Sequence, residues 1–177
     1  MLRRHPHTPA HLALDDAPYF ITGAIYGKQP LLQSDALKGM LLKEMRQCAE
    51  HFGWTLDHWV ILDNHYHAIL MSRRGADLPV LMRRLHGRTS PVIRKATACP
   101  PPIWWNYWDY CPRDECDYLV RLNYLLYNPV KHGCVADLKD YPHSSFHDLL
   151  GRLGREGLAE RFRAHPEFRT LDVADDF

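Results

Sequence analysis

Long apolar runs are missing from this 177-residue sequence. A membrane-spanning helix needs about 20 mostly apolar residues, and no segment of the chain approaches that length. The first residues, MLRRHPHTPAHLALDD, also lack the apolar core of a secretory signal peptide. These absences predict a cytoplasmic protein that has no membrane partner.

Paired cysteines are missing as well. The five cysteines are an odd number and contain no C-x-x-C spacing, which argues against a disulfide framework and against a thiolate zinc site. Free thiols suit a reducing compartment. The nearest pair, Cys111 and Cys116, is therefore expected to be incidental to function.

Net charge is almost absent, since 22 Lys and Arg residues balance 21 Asp and Glu residues to give +1 at pH 7. The distribution along the chain is uneven, however. Basic residues dominate positions 73–95, and acidic residues dominate from position 156 onward. A basic stretch of this kind suits a phosphate backbone, although a solvated helix face is the more usual role of such arginines.

The order of predicted elements indicates one α+β domain. Runs rich in aromatic and β-branched residues alternate with amphipathic helices in the order strand, helix, strand, strand, helix, strand, helix. This order predicts a ferredoxin-like antiparallel sheet with helices packed on one face. The predicted division is an N-terminal arm at 1–17, the domain at 18–150 and a polar, acidic C-terminal tail at 151–177.

Capping and breaking residues predict the ends of the helices. The first helix is expected at 34–52, the second at 77–98 and the third at 114–127. Gly87 and Pro91 are expected to break or kink the second helix, because proline removes a backbone hydrogen bond.

The stretch HWVILDNHYHAILMS predicts a hairpin whose turn lies at Asp63-Asn64. Side chains two residues apart on a strand share a face, with Cα atoms about 6.5 Å apart. His65 and His67 can therefore converge on one metal ion. Hydrogen-bonded core histidines are the alternative at this point. Asp63 could orient a histidine ligand or only shape the turn.

A later predicted helix contains a tyrosine and an asparagine one turn apart. Tyr124 and Asn128 are four residues apart and share a helix face. Tyr127 is rotated from Asn128 by about 100°. If Asn128 faces a metal ion bound by His65 and His67, Tyr124 lies beside that ion.

These motifs together resemble the REP-associated tyrosine transposases, a branch of the single-tyrosine HUH transposases. The resemblance extends from Tyr19 to Leu150 and consists of a YFIT strand, NHxH at 64–67, RDE at 113–115, Y-x-x-x-NPVK-x-G at 124–133 and SSF at 144–146. The chain departs from the family pattern at two places. Leu62-Asp63 replace the usual Met-Pro, and Tyr66 replaces a small aliphatic residue.

The resemblance implies that His65, His67 and Asn128 bind a divalent metal and that Tyr124 is the nucleophile. A mixed imidazole and amide-oxygen site is compatible with Mg²⁺ or Mn²⁺. The implied activity is metal-dependent nicking and rejoining of single-stranded DNA through a 5′-phosphotyrosine intermediate, on hairpin-forming repetitive palindromic DNA. Resemblance to this branch favours a monomer over a dimer. Tyr127 is the fallback nucleophile.

DNA contacts are predicted at basic and aromatic side chains, with solvated arginines and core aromatics as the alternatives. The candidates are Arg83, Arg84, Arg88, Arg94, Lys131, Trp104 and Trp105. Three other functions are also compatible with the residues. They are a domesticated, non-catalytic protein that binds hairpin DNA, a metal-dependent phosphoesterase in which water attacks, and a protein whose histidines are structural.

Overall fold

The computed structural model describes residues 13–171 and residue 173. The strands are β1 (Pro18–Ile25), β2 (Thr55–Ile61), β3 (His65–Met71) and β4 (Trp104–Tyr110). The α-helices are α1 (Asp35–His51), α2 (Leu78–Thr97), α3 (Glu115–Lys131) and α4 (Phe146–Ala164). Within the described residues, no helix has the length and apolar character that crossing a membrane requires.

The four strands form one antiparallel sheet in the order β2-β3-β1-β4. β1 pairs with β3 and with β4, and β2 completes the predicted hairpin with β3. Because side chains alternate along a strand, His65 and His67 lie on one face of β3 and Tyr66 lies on the other. The structure confirms the α+β class and the ferredoxin-like antiparallel sheet.

Helices cover both faces of this sheet. α1 and α2 pack on the face that contains Tyr66, where Leu41 and Leu81 are buried. α3 and α4 pack on the face that contains the histidines, against Phe20 and Ile69. The prediction of helices on one face holds for α1 and α2, each of which connects two strands of the sheet. It does not hold for α3 and α4, which cover the other face. The central strands are apolar on both sides, so the second face also needs a cover.

α3 begins at the predicted cap but runs past its predicted end. The Asp114 side chain accepts a hydrogen bond from the Asp117 amide and satisfies a first-turn N–H group. The helix continues beyond Tyr127 to Lys131 and contains Pro129 in its last turn. A proline there removes one helical hydrogen bond, while the Asn128 carbonyl still accepts from the amide of residue 132 at 3.0 Å.

α2 is continuous from Leu78–Thr97 and contains Pro91, so the helix is not broken at Gly87 or Pro91. The hydroxyls of Thr89 and Ser90 donate to main-chain carbonyl oxygens one turn earlier, at 2.9 Å and 2.6 Å. These bonds supply partners for carbonyl groups close to the point where the proline interrupts the helical pattern.

The described C-terminal segment is packed into the domain, unlike the predicted tail. The boundary predicted at residue 150 falls inside α4, and Leu158, Phe168 and Val173 are buried in the second core. Residues 151–171 are therefore part of the folded domain. Most of the predicted N-terminal arm, residues 1–12, lies outside the described residues. Ala17 donates its amide to the Ser72 hydroxyl at 2.9 Å.

Tyr66, which departs from the family pattern, is accommodated by Gly23. Gly23 lies opposite Tyr66 on β1, and a Cβ at position 23 would collide with the Tyr66 ring. The Tyr66 hydroxyl lies 3.0 Å from Nε2 of His86. Burial raises the pKa of Tyr66 and lowers the pKa of His86, so the neutral hydroxyl donates to the neutral imidazole. The added bulk is therefore packed on the face opposite the histidine pair.

We expect Gly23→Ala to lower the free energy of unfolding by about 1–3 kcal/mol, the usual cost of overpacking a core. Urea denaturation measures this loss. In a Tyr66→Val background the same substitution should cost much less, because the colliding ring is gone. Equal losses in the two backgrounds would show that the Tyr66 ring is not the reason for glycine at position 23.

Candidate functional site

β3 and α3 bring the predicted metal ligands together on the second face of the sheet. His65 and His67 are 4% and 0% exposed, and their ring centroids lie 5.0 Å apart. The Asn128 side chain is fully buried, and its Oδ1 lies 3.0 Å from Nε2 of His65. The three residues are therefore close enough to share one ion.

A polar side chain orients each histidine through its Nδ1 atom. Asn64 Oδ1 lies 2.7 Å from Nδ1 of His65, and Thr22 Oγ1 lies 2.8 Å from Nδ1 of His67. An amide oxygen can only accept, so Nδ1 of His65 donates to Asn64, and in the neutral imidazole the Nε2 lone pair points toward Asn128. Partners of this kind orient imidazoles in metal sites.

The contact between His65 and Asn128 fits a divalent cation. With the N–H on Nδ1, both Nε2 of His65 and Oδ1 of Asn128 present lone pairs to each other at 3.0 Å. Neighbouring ligands of an octahedral ion are about 3.0 Å apart when each metal–ligand bond is about 2.1 Å. Without a cation, rotation of the Asn128 amide would allow its NH₂ group to donate to His65.

The proposed ligand set depends on the amide. In the described part of the chain, no group of three or more His, Cys, Asp and Glu side chains could hold a metal ion. A metal ion at this site would therefore need Asn128 as its third protein ligand. Two imidazoles and one amide oxygen would leave positions for water and phosphate oxygens, which suits Mg²⁺ or Mn²⁺.

Tyr124 lies beside the histidine pair. Its ring centroid is 5.5 Å from that of His67, and the side chain is 2% exposed. The Lys131 ammonium donates to the Tyr124 hydroxyl oxygen at 2.8 Å and lies 4.7 Å from the ring centre. The site thus combines a buried tyrosine with an ammonium group on its hydroxyl.

His132 is a neighbour of the site that sequence reasoning did not identify. Its ring centroid lies 4.9 Å from that of His65. Lys131 and His132 are both exposed, and both lie at the C-terminal end of α3. They therefore form the solvent-facing side of a site whose other residues are buried. The sequence signal that could have identified His132 is its position directly after Lys131, at the end of the Asn-Pro-Val-Lys motif.

Two relatives show which family the chain belongs to. A protein from Haemophilus influenzae, named as a REP-associated tyrosine transposase, is 31% identical over 147 residues, which is 72% of this chain and 82% of the relative. A REP-associated tyrosine transposase from Escherichia coli is 32% identical over 102 residues, which is 56% of this chain and 58% of the relative. The chain belongs to the REP-associated tyrosine transposase family.

A solved structure supports the fold of this transposase family member. The structure of a REP-associated tyrosine transposase bound to a REP hairpin has a TM-score of 0.67 with this chain at 24% identity, and 86% of each chain is covered. A scan against models of protein families found no match. The likeness confirms the arrangement of strands and helices.

Tyr127 and Asp63 lie apart from the histidines in this transposase family member. The Tyr127 ring packs on Phe168 with centroids 5.2 Å apart, in the core between α3 and α4. Asp63 forms an ion pair with Lys38 at 2.6 Å, and its carbonyl accepts from the amide of residue 32. Of the two roles considered for Asp63, the geometry supports shaping the turn.

The predicted DNA contacts fall into separate environments. Arg88 forms a two-point ion pair with Glu44 on α1. Trp104 is 8% exposed and donates its indole N–H to Thr89 at 2.9 Å, so it is a core residue. The remaining α2 and β4 candidates are accessible at the surface: Arg83, Arg84, Arg94 and Trp105.

We expect the joint substitution His65→Ala and His67→Ala to abolish Mn²⁺ binding measured by isothermal titration calorimetry. Thr22→Val should weaken binding by about 10- to 100-fold, the usual effect of removing a partner that orients a metal ligand. His51→Ala, at an exposed position on α1, is the matched control and should bind as the wild type does. Unchanged affinity in the double variant would refute the metal site.

Proposed function

We propose that this transposase family member nicks and rejoins single-stranded DNA by transesterification at Tyr124. The observation that carries the proposal is the 2.8 Å hydrogen bond from Lys131 to Tyr124, next to the histidine pair. One face of the sheet holds a nucleophile, a cation that stabilises its negative charge, and the donor atoms for a divalent metal. Each of the three promotes phosphodiester transfer to a phenol.

His65, His67 and Asn128 would bind the metal ion. A bound Mg²⁺ or Mn²⁺ would act as a Lewis acid toward the phosphate and favour departure of the 3′ oxygen. Asn64 and Thr22 keep the imidazoles in the orientation that binding requires. Burial of both imidazoles limits competing water around the ligands.

The reaction exchanges one phosphoester bond for another. The Tyr124 oxygen attacks phosphorus, the bond between phosphorus and the 3′ oxygen breaks, and the phenol proton ends on that oxygen. The products are a 5′-phosphotyrosine at Tyr124 and a free 3′-OH. Lys131 stabilises the negative charge on the phenol oxygen before the attack. A second 3′-OH can reverse the step and join strands without ATP, because the number of phosphoester bonds does not change.

The substrate class proposed here is DNA that combines a hairpin with unpaired flanking nucleotides. Family membership supports this class, and so does the related fold solved with a REP hairpin bound to it. The monomeric state and the cytoplasmic location remain predictions from the sequence.

We expect Tyr124→Phe to abolish the denaturation-resistant adduct that forms when the wild type is incubated with end-labelled single-stranded DNA and Mn²⁺. Binding of hairpin DNA should persist, because the substitution removes one hydroxyl. Tyr127→Phe is the matched control and should form the adduct normally. An adduct in Tyr124→Phe would exclude Tyr124 as the nucleophile. A wild type that binds hairpin DNA but never forms an adduct would support the domesticated binder instead.

We expect Lys131→Met to slow adduct formation by about 100-fold or more at saturating DNA and neutral pH, comparable to the loss of one charge-stabilising donor. The loss should shrink at higher pH, where hydroxide deprotonates the phenol without help. Lys139→Met, at an exposed lysine away from Tyr124, is the control. If Lys131 only contacts phosphate, its removal should weaken DNA binding and leave the saturated rate unchanged.

A further inference from the structure

An exposed pair of aromatic rings lies at the end of the sheet where β3 begins. Tyr26 and Trp105 are 42% and 46% exposed, and their rings stack with centroids 4.8 Å apart and an interplanar angle of 24°. They are among the most exposed large apolar side chains in the described part of the chain. Such a pair presents flat apolar surface to solvent, which a planar ligand can cover.

The aromatic pair is close in the fold to the proposed catalytic site. The amide of Tyr26 bonds the carbonyl of residue 103, just before Trp105, at 2.8 Å. The amide of residue 25 bonds the carbonyl of Asn64 at 2.8 Å, and the Asn64 side chain contacts His65. The pair therefore lies at the end of the sheet next to the catalytic site. A DNA strand held on the histidine face would pass around this end to reach Tyr26, Trp105 and the α2 side of the sheet.

Trp105 also lies at the rim of a groove between α2 and the proline-rich segment before β4. The groove has a volume of about 410 Å³, and Arg83, Ser90 and Arg94 line its helical wall. A second hollow of about 450 Å³ shares Arg94 and extends the groove to Lys95. The two hollows make one surface, which we call the α2 groove.

The α2 groove is basic. No aspartate or glutamate lines either hollow among residues 13–171, although the chain contains 21 acidic residues. Arg83 and Arg94 are separated by three helical turns, or about 16 Å. Stacked nucleotides rise about 3.4 Å each, so the groove is long enough for several of them. Its charge is complementary to a polynucleotide backbone.

We propose that the α2 groove and the Tyr26–Trp105 pair bind the unpaired segment of the DNA next to the phosphodiester that Tyr124 attacks. Unpaired bases stack on Trp105 and Tyr26, while phosphates pair with Arg83 and Arg94. A basic groove with aromatic platforms is the general means of holding single strands. The bases of a duplex stem are stacked inside the helix, so their faces are not available to these rings. This proposal rests on the proposed function for one point, namely that Tyr124 attacks the phosphodiester next to the bound segment.

Binding of a fluorescein-labelled oligothymidylate, which cannot form a hairpin, tests the surface by fluorescence anisotropy. The full chain with Tyr124→Phe, in EDTA, separates binding from chemistry. We expect Trp105→Leu to weaken binding at least about fivefold and Trp105→Phe to retain most of it, because stacking needs an aromatic ring. Arg94→Ala should lower the slope of log K against log salt concentration by about 0.7, the value for one phosphate on a single strand.

Arg73→Ala is the matched control, because its side chain is exposed and follows β3 at the opposite end of the sheet. It should leave affinity and salt slope unchanged. Photocrosslinking with iododeoxyuridine should attach the oligonucleotide to the peptides that contain Tyr26 or Trp105. The proposal is overturned if Trp105→Leu binds as the parent does, if crosslinks map only elsewhere, or if a blunt duplex stem competes as well as the oligothymidylate.

The same experiments separate this proposal from the proposed function. If the wild type forms no adduct but Trp105→Leu still loses oligothymidylate binding, the chemistry fails and the single-strand surface stands. If the adduct forms on Tyr124 and Trp105→Leu has no effect on binding, the surface fails and the chemistry stands.

Discussion

The contact between His65 and Asn128 joins the sheet to α3, and the geometry of the rest of the site depends on it. Both side chains are almost completely buried, so each polar atom needs a partner inside the protein. Their 3.0 Å contact fixes the rotation of α3 over β3 when a cation or the Asn128 NH₂ group satisfies the two facing lone pairs. That rotation places Tyr124, one turn earlier on the helix, beside His67. It also places Lys131, at the end of the helix, on the Tyr124 hydroxyl.

Several of the family motifs serve the scaffold that makes this contact possible. Asp114 of RDE caps α3 and fixes where the helix begins. Ser145 of SSF bonds the main chain of Trp59 with both its amide and its hydroxyl, at 2.9 Å and 3.0 Å. This contact covers the outer edge of β2, which would otherwise expose unpaired backbone groups. The motifs therefore combine residues that position the site with residues that would perform the chemistry.

The sheet and the site could be predicted because their signals are local. Alternation along β3 placed His65 and His67 on one face, and helical spacing placed Tyr124 with Asn128. Other features depend on tertiary packing that no short window contains. Arg88 and Lys131 looked alike in sequence, yet Arg88 pairs with Glu44 on another helix while Lys131 reaches Tyr124 two turns back along α3. Leu158 and Phe168 are too widely spaced among polar residues to indicate burial, so the packed C-terminal segment was missed.

Tyr66 illustrates how a departure from the family pattern can be accommodated. Its bulk lies on the face opposite the histidines, in a space that Gly23 leaves open on β1. The hydroxyl contacts His86 on α2, and the His86 ring stacks on Trp104 at a centroid distance of 4.5 Å. The strand that contains the histidine pair is thus packed tightly from behind, which restricts movement of the two imidazoles.

The most direct test of the central claim is to locate the covalent bond between protein and DNA. The wild type would be incubated with single-stranded DNA that carries the hairpin and with Mn²⁺, then digested with protease and nuclease and examined by mass spectrometry. A 5′-linked nucleotide on Tyr124 is the result that this account predicts. A nucleotide on Tyr127, or cleaved DNA with no nucleotide on any tyrosine, would contradict it.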